Sequence, residues 1–114
     1  YPMRSPYASA KWAIVGLSKT MAMELGPFNI RVNCICPGAV NGERMDRVIS
    51  SIAEASGETL TKVRQDNVKS TSMKTFVDAE DIANMIVFSF SDLGAKISGQ
   101  SLTVDGDTHS LATY

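Results

Sequence analysis

The segment from Pro6 to Leu25 constrains the fold more than any other part of this chain. It contains no interior proline, Ser5 can serve as its N-cap before Pro6, and Gly26-Pro27 ends it, so the sequence predicts one long helix. Two apolar stripes lie on different faces of that helix, one comprising Ala10, Ile14, Leu17, Met21 and Leu25 and the other Ala8, Trp12, Val15, Ala22 and Met23. A helix with two apolar faces is buried on both, either within a large domain or against another subunit.

Two apolar segments farther along the chain have the character of buried strands. The first spans Asn29–Cys36 and ends at Pro37-Gly38, and the second spans Gln100–Val104. Between them lie two weak helical patterns separated by Gly57 and a third helix capped by Asp78. This order predicts parallel neighbouring strands joined by a right-handed crossover. Because buried parallel strands need further strands beside them and helices over both faces, we expect an α/β fold of which this chain holds one end.

The composition is that of an ordinary soluble globular protein, with 44% apolar residues, 20% charged residues and a net charge of −1. Acidic and basic residues are interspersed and no apolar run approaches the length of a membrane span, so we expect neither nucleic-acid binding nor membrane anchoring. The first residues, Tyr1 to Pro6, lack the apolar core of a signal peptide and do not begin with methionine. We therefore expect a cytoplasmic protein and a chain cut from something longer.

Cys34 and Cys36 alternate with their neighbours in the first predicted strand, which places both sulfur atoms on one face. That spacing is near the limit of disulfide reach and is unfavourably oriented for a disulfide. We expect two buried free thiols in a reducing compartment. No metal site is expected, because the single histidine, His109, supplies too few further ligands.

Tyr7 and Lys11 are the residues that most directly suggest a reaction. Spaced i and i+4 on the predicted helix, the phenol and the ammonium group lie one turn apart on the same face. An unperturbed tyrosine keeps its proton up to about pH 10. A neighbouring positive charge favours the phenolate, which makes the phenol usable as an acid or a base nearer neutral pH.

The run Tyr7-Ala8-Ser9-Ala10-Lys11 resembles the Tyr-x-x-x-Lys signature of the short-chain dehydrogenases/reductases. The agreement continues in the family's order at Ala22-Met23-Glu24-Leu25, Ile30-Arg31-Val32-Asn33 with Pro37-Gly38, Asp81-Ile82-Ala83, Ser98-Gly99-Gln100 and Val104-Asp105-Gly106. The resemblance implies the C-terminal part of a Rossmann-type doubly wound parallel sheet. The family's glycine-rich loop, catalytic serine and catalytic asparagine would belong to an N-terminal half that is absent from this chain.

The resemblance also implies hydride transfer between NAD or NADP and a small carbonyl or alcohol substrate. Tyr7 would be the general acid and base, while Lys11 would lower the pKa of Tyr7 and bind the nicotinamide ribose. Both residues would then contact the cofactor. Pro37, Gly38 and Val40 would form the loop whose backbone holds the nicotinamide carboxamide, at the edge of the sheet where open α/β folds bind ligands.

Two positions depart from the pattern of the family. Gly42 stands where relatives usually carry a threonine, so a hydroxyl contact to the cofactor phosphates is absent there. Asp107 stands where many relatives have a second glycine. Asn33 is expected to support backbone turns rather than to take part in the reaction.

Residues 1–114 are therefore expected to be part of a single oxidoreductase domain with a flexible substrate flap at about 42–76. Met45, Val48, Ile49 and Ile52 suggest that one wall of the flap is apolar. Relatives assemble through the Tyr-Lys helix, which implies a homodimer or homotetramer. The alternative is an inactive fragment or an oligomerisation module that lacks cofactor binding. The residues present do not identify the substrate or decide between NAD and NADP. We expect the isolated chain to be inactive.

Overall fold

The computed structural model describes residues 3–108 of the chain. Four α-helices and two β-strands form in the order α1 (Ser5–Leu25), β1 (Cys34–Pro37), α2 (Glu43–Ser56), α3 (Leu60–Asn67), α4 (Ala79–Phe90) and β2 (Ser101–Val104). Short 3₁₀ turns follow α1 at Gly26–Phe28 and α4 at Asp92–Gly94. All four predicted helical segments are confirmed, including the two weak ones on either side of Gly57.

The two strands pair in parallel, as predicted. Cys34 lies opposite Ser101 and Pro37 opposite Val104, and the pairing continues where the Gly38 amide donates to the Val104 carbonyl oxygen at 3.0 Å. The predicted first strand was too long, because the paired segment begins only at Cys34. Asn29 adopts a left-handed conformation with φ of 59°, which ends the 3₁₀ turn and interrupts the extended backbone.

Two details of the predicted elements were wrong. The long helix begins at Ser5 rather than after it, so Arg4 occupies the N-cap position and no side chain caps the helix there. Neither strand is fully buried, since the residues of both are intermediate or exposed. A two-stranded sheet leaves its outer edges and part of each face uncovered, which accounts for the difference.

Three of the four buried apolar side chains of residues 3–108 gather between α2 and α3, and the fourth, Val77, lies before α4. Ile49, Ala53 and Val63 form this cluster, with Met45 and Phe76 packed against it. The helical segment predicted as a flap is thus a small packed unit with its own apolar interior. Its mobility stays a prediction.

The α1 helix contacts β1 and Gly99, which precedes β2, but buries none of its side chains. Trp12 is 74% exposed and Met23 72% exposed on one predicted stripe, while Leu17 is 59% exposed on the other. Both apolar faces of α1 are therefore still open to solvent. None of the helices in residues 3–108 has the combination of length and apolar character needed to cross a bilayer.

Arg31 fixes the far end of α4 to the segment that leads into β1. Its guanidinium group donates to the carbonyl oxygen of Ser89 and, at 2.6 Å, to that of Gly94. Positive charge at the C-terminus of a helix compensates the unpaired carbonyl groups there. Arg31 thereby orients the helix that covers one face of the sheet.

Asn33 holds the turn before β2 with its side-chain amide. Its Nδ2 donates to the Ile97 carbonyl oxygen at 2.9 Å, and its Oδ1 accepts from the Gln100 amide at 3.1 Å. The expected structural role of this residue agrees with these bonds.

Candidate active site

Tyr7 and Lys11 lie together near the start of α1. The Lys11 ammonium nitrogen is 5.5 Å from the centroid of the Tyr7 ring, a distance at which a cation is attracted to an aromatic face. Tyr7 is 44% exposed, so the pair is open to a ligand. The helical spacing inferred from the sequence therefore brings the cation and the phenol into contact.

The direction of α1 carries this pair toward the edge of the sheet where the strands end. The far half of α1 lies at the opposite edge, because Lys19 donates to the Gly99 carbonyl oxygen at 2.9 Å and Ala22 packs beside Gly99. From Ala22 back to Tyr7 the helix rises about 22 Å. The extended chain from Gly99 to Asp105 covers about 20 Å. A helix that runs antiparallel alongside the strands would thus bring Tyr7 to about the level of the residues that follow them.

The loop after β1 is held closely against the end of β2. A Cβ atom on Gly38 would lie 2.7 Å from the Cα atom of Asp105, a separation that side chains do not tolerate. Glycine is needed at this position because of that backbone approach rather than because of an unusual turn. Pro37, at the last position of β1, is exposed.

Val40 presents an unused pair of backbone hydrogen-bonding groups. It forms a parallel bridge with Val77, in which the Val77 amide donates to the Ala39 carbonyl oxygen at 2.9 Å and the Asn41 amide donates to the Val77 carbonyl oxygen at 2.8 Å. In such a bridge the N–H and C=O groups of the central residue point away from the partner. Within residues 3–108 the N–H and C=O of Val40 form no hydrogen bond. This donor and acceptor match what a primary carboxamide requires.

Arg64 joins the helical unit to the same loop, and nothing in the sequence drew attention to it. Its guanidinium donates to the side-chain oxygen of Asn41 and, at 3.1 Å, to Asp46. It also lies 4.6 Å from the centroid of the Phe76 ring. Asn41 in turn donates to the Asp78 carboxylate at 2.7 Å. The partners are far apart in sequence, so no local pattern could have identified this network.

Asp107 has a backbone conformation that favours glycine. Its φ of 60° lies in the left-handed region, which glycine adopts freely and which aspartate tolerates better than most residues. The Ser72 hydroxyl donates to the Asp107 carboxylate, and the Asp107 amide donates to Asp105 at 2.9 Å. These hydrogen bonds, one local and one from Ser72, therefore stabilise a conformation that glycine would adopt without them.

Cys34 and Cys36 are both free thiols and are partly buried. Burial raises the pKa of the Cys36 thiol above its ordinary value, and the neighbouring Cys34 and Asp105 raise it further. The Cys36 thiol is therefore kept protonated, which makes it a poor nucleophile. Residues 3–108 hold no cluster of three or more histidine, cysteine or acidic side chains that could bind a metal ion. His109 lies outside the described residues.

The comparisons with known proteins agree with the motifs. Residues 1–109 match a family model described as enoyl-(acyl carrier protein) reductase. An uncharacterised short-chain type dehydrogenase/reductase of Sinorhizobium fredii is 37% identical over 101 residues, which cover 88% of this chain and 36% of that protein. The chain belongs to the short-chain dehydrogenase/reductase family, and it spans well under half the length of the curated relatives it matches.

Solved structures share the arrangement of these elements. L-sorbose reductase from Gluconobacter frateurii, complexed with NADPH and L-sorbose, matches with a TM-score of 0.83 and 30% identity over 95% of this chain and 41% of its own. A 4-hydroxyisoleucine dehydrogenase complexed with NADH matches with a TM-score of 0.70 and 31% identity over 99% of this chain and 41% of its own. The α/β arrangement with a small parallel sheet is that of this family.

Proposed function

We propose that the complete protein is an NAD(P)-dependent oxidoreductase that interconverts a small carbonyl compound and an alcohol. The observation that carries the proposal is the contact between the Lys11 ammonium and the Tyr7 ring, 5.5 Å from its centroid, in a member of this family. The match to structures that contain NADPH or NADH supports either nicotinamide cofactor.

In this proposal Tyr7 transfers the proton that accompanies the hydride. Its hydroxyl would donate to the carbonyl oxygen during reduction and accept the hydroxyl proton during oxidation. Lys11 would stabilise the phenolate electrostatically and bind the ribose hydroxyl groups with its ammonium donors. The partial exposure of both residues leaves room for substrate and cofactor beside them.

The loop of Pro37, Gly38 and Val40 fits a nicotinamide cofactor. Such a cofactor, when bound, supplies or accepts the hydride. The N–H and C=O of Val40, unused within the described chain, would bind its carboxamide group. The close approach of Gly38 to Asp105 would keep this loop in place, because neither strand end can shift without the other.

We further propose that this chain forms the C-terminal part of a Rossmann-type doubly wound sheet. The open apolar faces of α1 and the partly exposed strands suit further layers of the same fold. An N-terminal half would then supply the glycine-rich phosphate loop, and residues 1–114 alone would be inactive. A homodimer or homotetramer would cover the apolar stripe of α1 that the domain leaves open.

The alternative, an inactive fragment or oligomerisation module, is less well supported. It accounts for the exposed faces of α1 but not for the Tyr7–Lys11 contact or the open backbone groups of Val40. The discriminating experiment is cofactor binding and turnover by the complete protein. We expect micromolar binding of NADH or NADPH and oxidation of the cofactor with a panel of small ketones and aldehydes. Absence of binding to both cofactors would contradict the oxidoreductase proposal.

A further inference from the structure

A cleft beside the loop after β1 carries positive charge that the proposed hydride transfer does not use. It is a shallow depression, largely open to solvent, with a volume of about 300 Å³, and it lies between α3 and the segment that precedes α4. Its polar lining consists of Asn41, Thr61, Arg64, Gln65, Lys74 and Thr75. Two of these side chains are cations and none is a carboxylate, so the lining favours an anionic ligand.

Arg64 is held in one orientation within this cleft. Its guanidinium lies over the Phe76 ring and donates to Asn41 and Asp46. A guanidinium has five N–H donors, so most of them remain after these two bonds and can donate to another partner. Its side chain is 42% exposed, so a ligand can reach it. A planar guanidinium fixed by stacking is well suited to bind a carboxylate or a phosphate.

Two carboxylates lie near the cleft without lining it, because Asp46 pairs with Arg64 and Asp78 accepts a hydrogen bond from Asn41. The Asp46 side chain that pairs with Arg64 is 65% exposed, and a hydrated pair of this kind contributes little. Glu58 pairs with Lys62, and Asp66 pairs with Lys62 and Lys69, outside the lining.

Lys74 supplies the second cation of the lining, from the segment that precedes α4. Its ammonium group donates to the Lys69 carbonyl oxygen at 2.6 Å, which restrains the side chain. Its backbone has a φ of 51°, a left-handed conformation that is uncommon for lysine. Arg64 and Lys74 thus enter one cleft from two separate segments of the chain.

We propose that Arg64 and Lys74 form a subsite for an anionic group, a carboxylate or a phosphate, carried by the substrate. The inference rests on the proposed function, because the cleft begins at Asn41, the residue after the Val40 backbone that would bind nicotinamide. The cofactor also carries phosphate groups, so the same side chains could meet an anion from either source. The experiments must separate the two sources.

The first experiment measures anion binding without turnover. The complete protein is titrated with sodium acetate and with inorganic phosphate at low ionic strength, and binding is followed by NMR. Arg64→Gln and Lys74→Gln should each weaken binding about tenfold. Lys69→Gln, which removes a lysine outside the lining, is the matched control and should leave it unchanged. Binding of neither anion, or an equal loss in all three variants, would overturn the proposal.

The second experiment compares acetoacetate with its uncharged methyl ester as substrates. The complete protein should prefer acetoacetate in kcat/KM, and Arg64→Gln and Lys74→Gln should reduce that preference about tenfold. If these variants instead weaken NADH and NADPH binding and leave the preference for acetoacetate over its ester unchanged, the bound anion is a cofactor phosphate. The proposal of a substrate subsite is then wrong. If the complete protein binds neither NADH nor NADPH and reduces neither ketone, while anion binding still depends on Arg64 and Lys74, the oxidoreductase proposal fails and the anion site stands.

Discussion

Gly38 and Asp105 approach so closely that a Cβ atom on Gly38 would lie 2.7 Å from the Cα atom of Asp105. This contact joins the residues that follow the two parallel strands, one of which begins the proposed cofactor loop. The absence of a side chain at one position therefore determines how the loop after β1 sits against the end of β2.

We expect Gly38→Ala to destabilise the protein by about 2 kcal/mol, because the added methyl group must push two backbone segments apart. Cofactor binding should weaken as well. Gly16→Ala is a suitable control, since a Cβ at Gly16 meets no atom within 4 Å and alanine favours a helix interior. Urea denaturation of both variants would measure the difference. Equal stability of the two would show that the strand ends can separate without cost.

Tyr7→Phe in the complete protein should remove the proton donor and leave the fold intact. General acid–base catalysis contributes about 10² to 10⁴ in rate, so kcat should fall by that factor while cofactor affinity changes little. Lys11→Met should lower both kcat and cofactor affinity, because its ammonium group is proposed to serve both. Steady-state kinetics and cofactor titration would measure these effects. A Tyr7→Phe variant with more than about a tenth of the original kcat would exclude Tyr7 as the acid.

Arg31→Met should lower the free energy of unfolding by about 2 kcal/mol, because it removes a charged donor from the carbonyl groups at the end of α4. Arg47→Met is the matched control, since Arg47 lies on the exposed surface of α2. Thermal denaturation should separate the two variants. If both variants lose the same stability, the loss arises from the change in net charge rather than from the contact of Arg31 with Ser89 and Gly94.

Backbone amides in the predicted flap, residues 42–76, should exchange faster than those in the middle of α1 in the complete, cofactor-free protein. Amides near Ile49 and Val63 should be the best protected within the flap, because these side chains are buried between α2 and α3. Addition of NADH or NADPH should slow exchange across the segment. Hydrogen exchange with mass spectrometry would test this expectation. Protection equal to that of α1 in both states would instead indicate a rigid insert.

Cys36 should react slowly with iodoacetamide in the folded protein, since its raised pKa keeps the thiol protonated. Reaction should accelerate only above the ordinary thiol pKa of about 8.5. Because the pKa of Cys36 is higher in the folded state than in the unfolded state, this thiol also contributes to the free energy of unfolding. That contribution is fully present below the ordinary thiol pKa and is lost as the pH rises through the folded-state pKa. Cys34→Ser removes one cause of the shift and should make Cys36 more reactive. Mass spectrometry across a pH series would follow the modification of each thiol.

Local patterns predicted most of the secondary structure and the proposed catalytic pair. The spacing of apolar residues defined α1, and the capping potential of Asp78 located α4, whose first turn is closed where the Asp78 amide donates to Asp81 at 2.8 Å. Tyr7 and Lys11 could be associated because they are one helical turn apart. The first strand was predicted too long, because the left-handed turn at Asn29 and the side-chain bonds of Arg31 and Asn33 depend on distant partners.

The sequence by itself determined the elements whose interactions span a few residues, and it identified the family through motifs in a fixed order. The tertiary structure decided what lies between elements. It showed why Gly38 has no side chain, how Val40 keeps a donor and an acceptor available, and why Arg64 meets Asn41 and Phe76. These arrangements join residues that are distant along the chain. Local propensity carries no information about such pairs, because their contacts form only when separate helices and strands pack together.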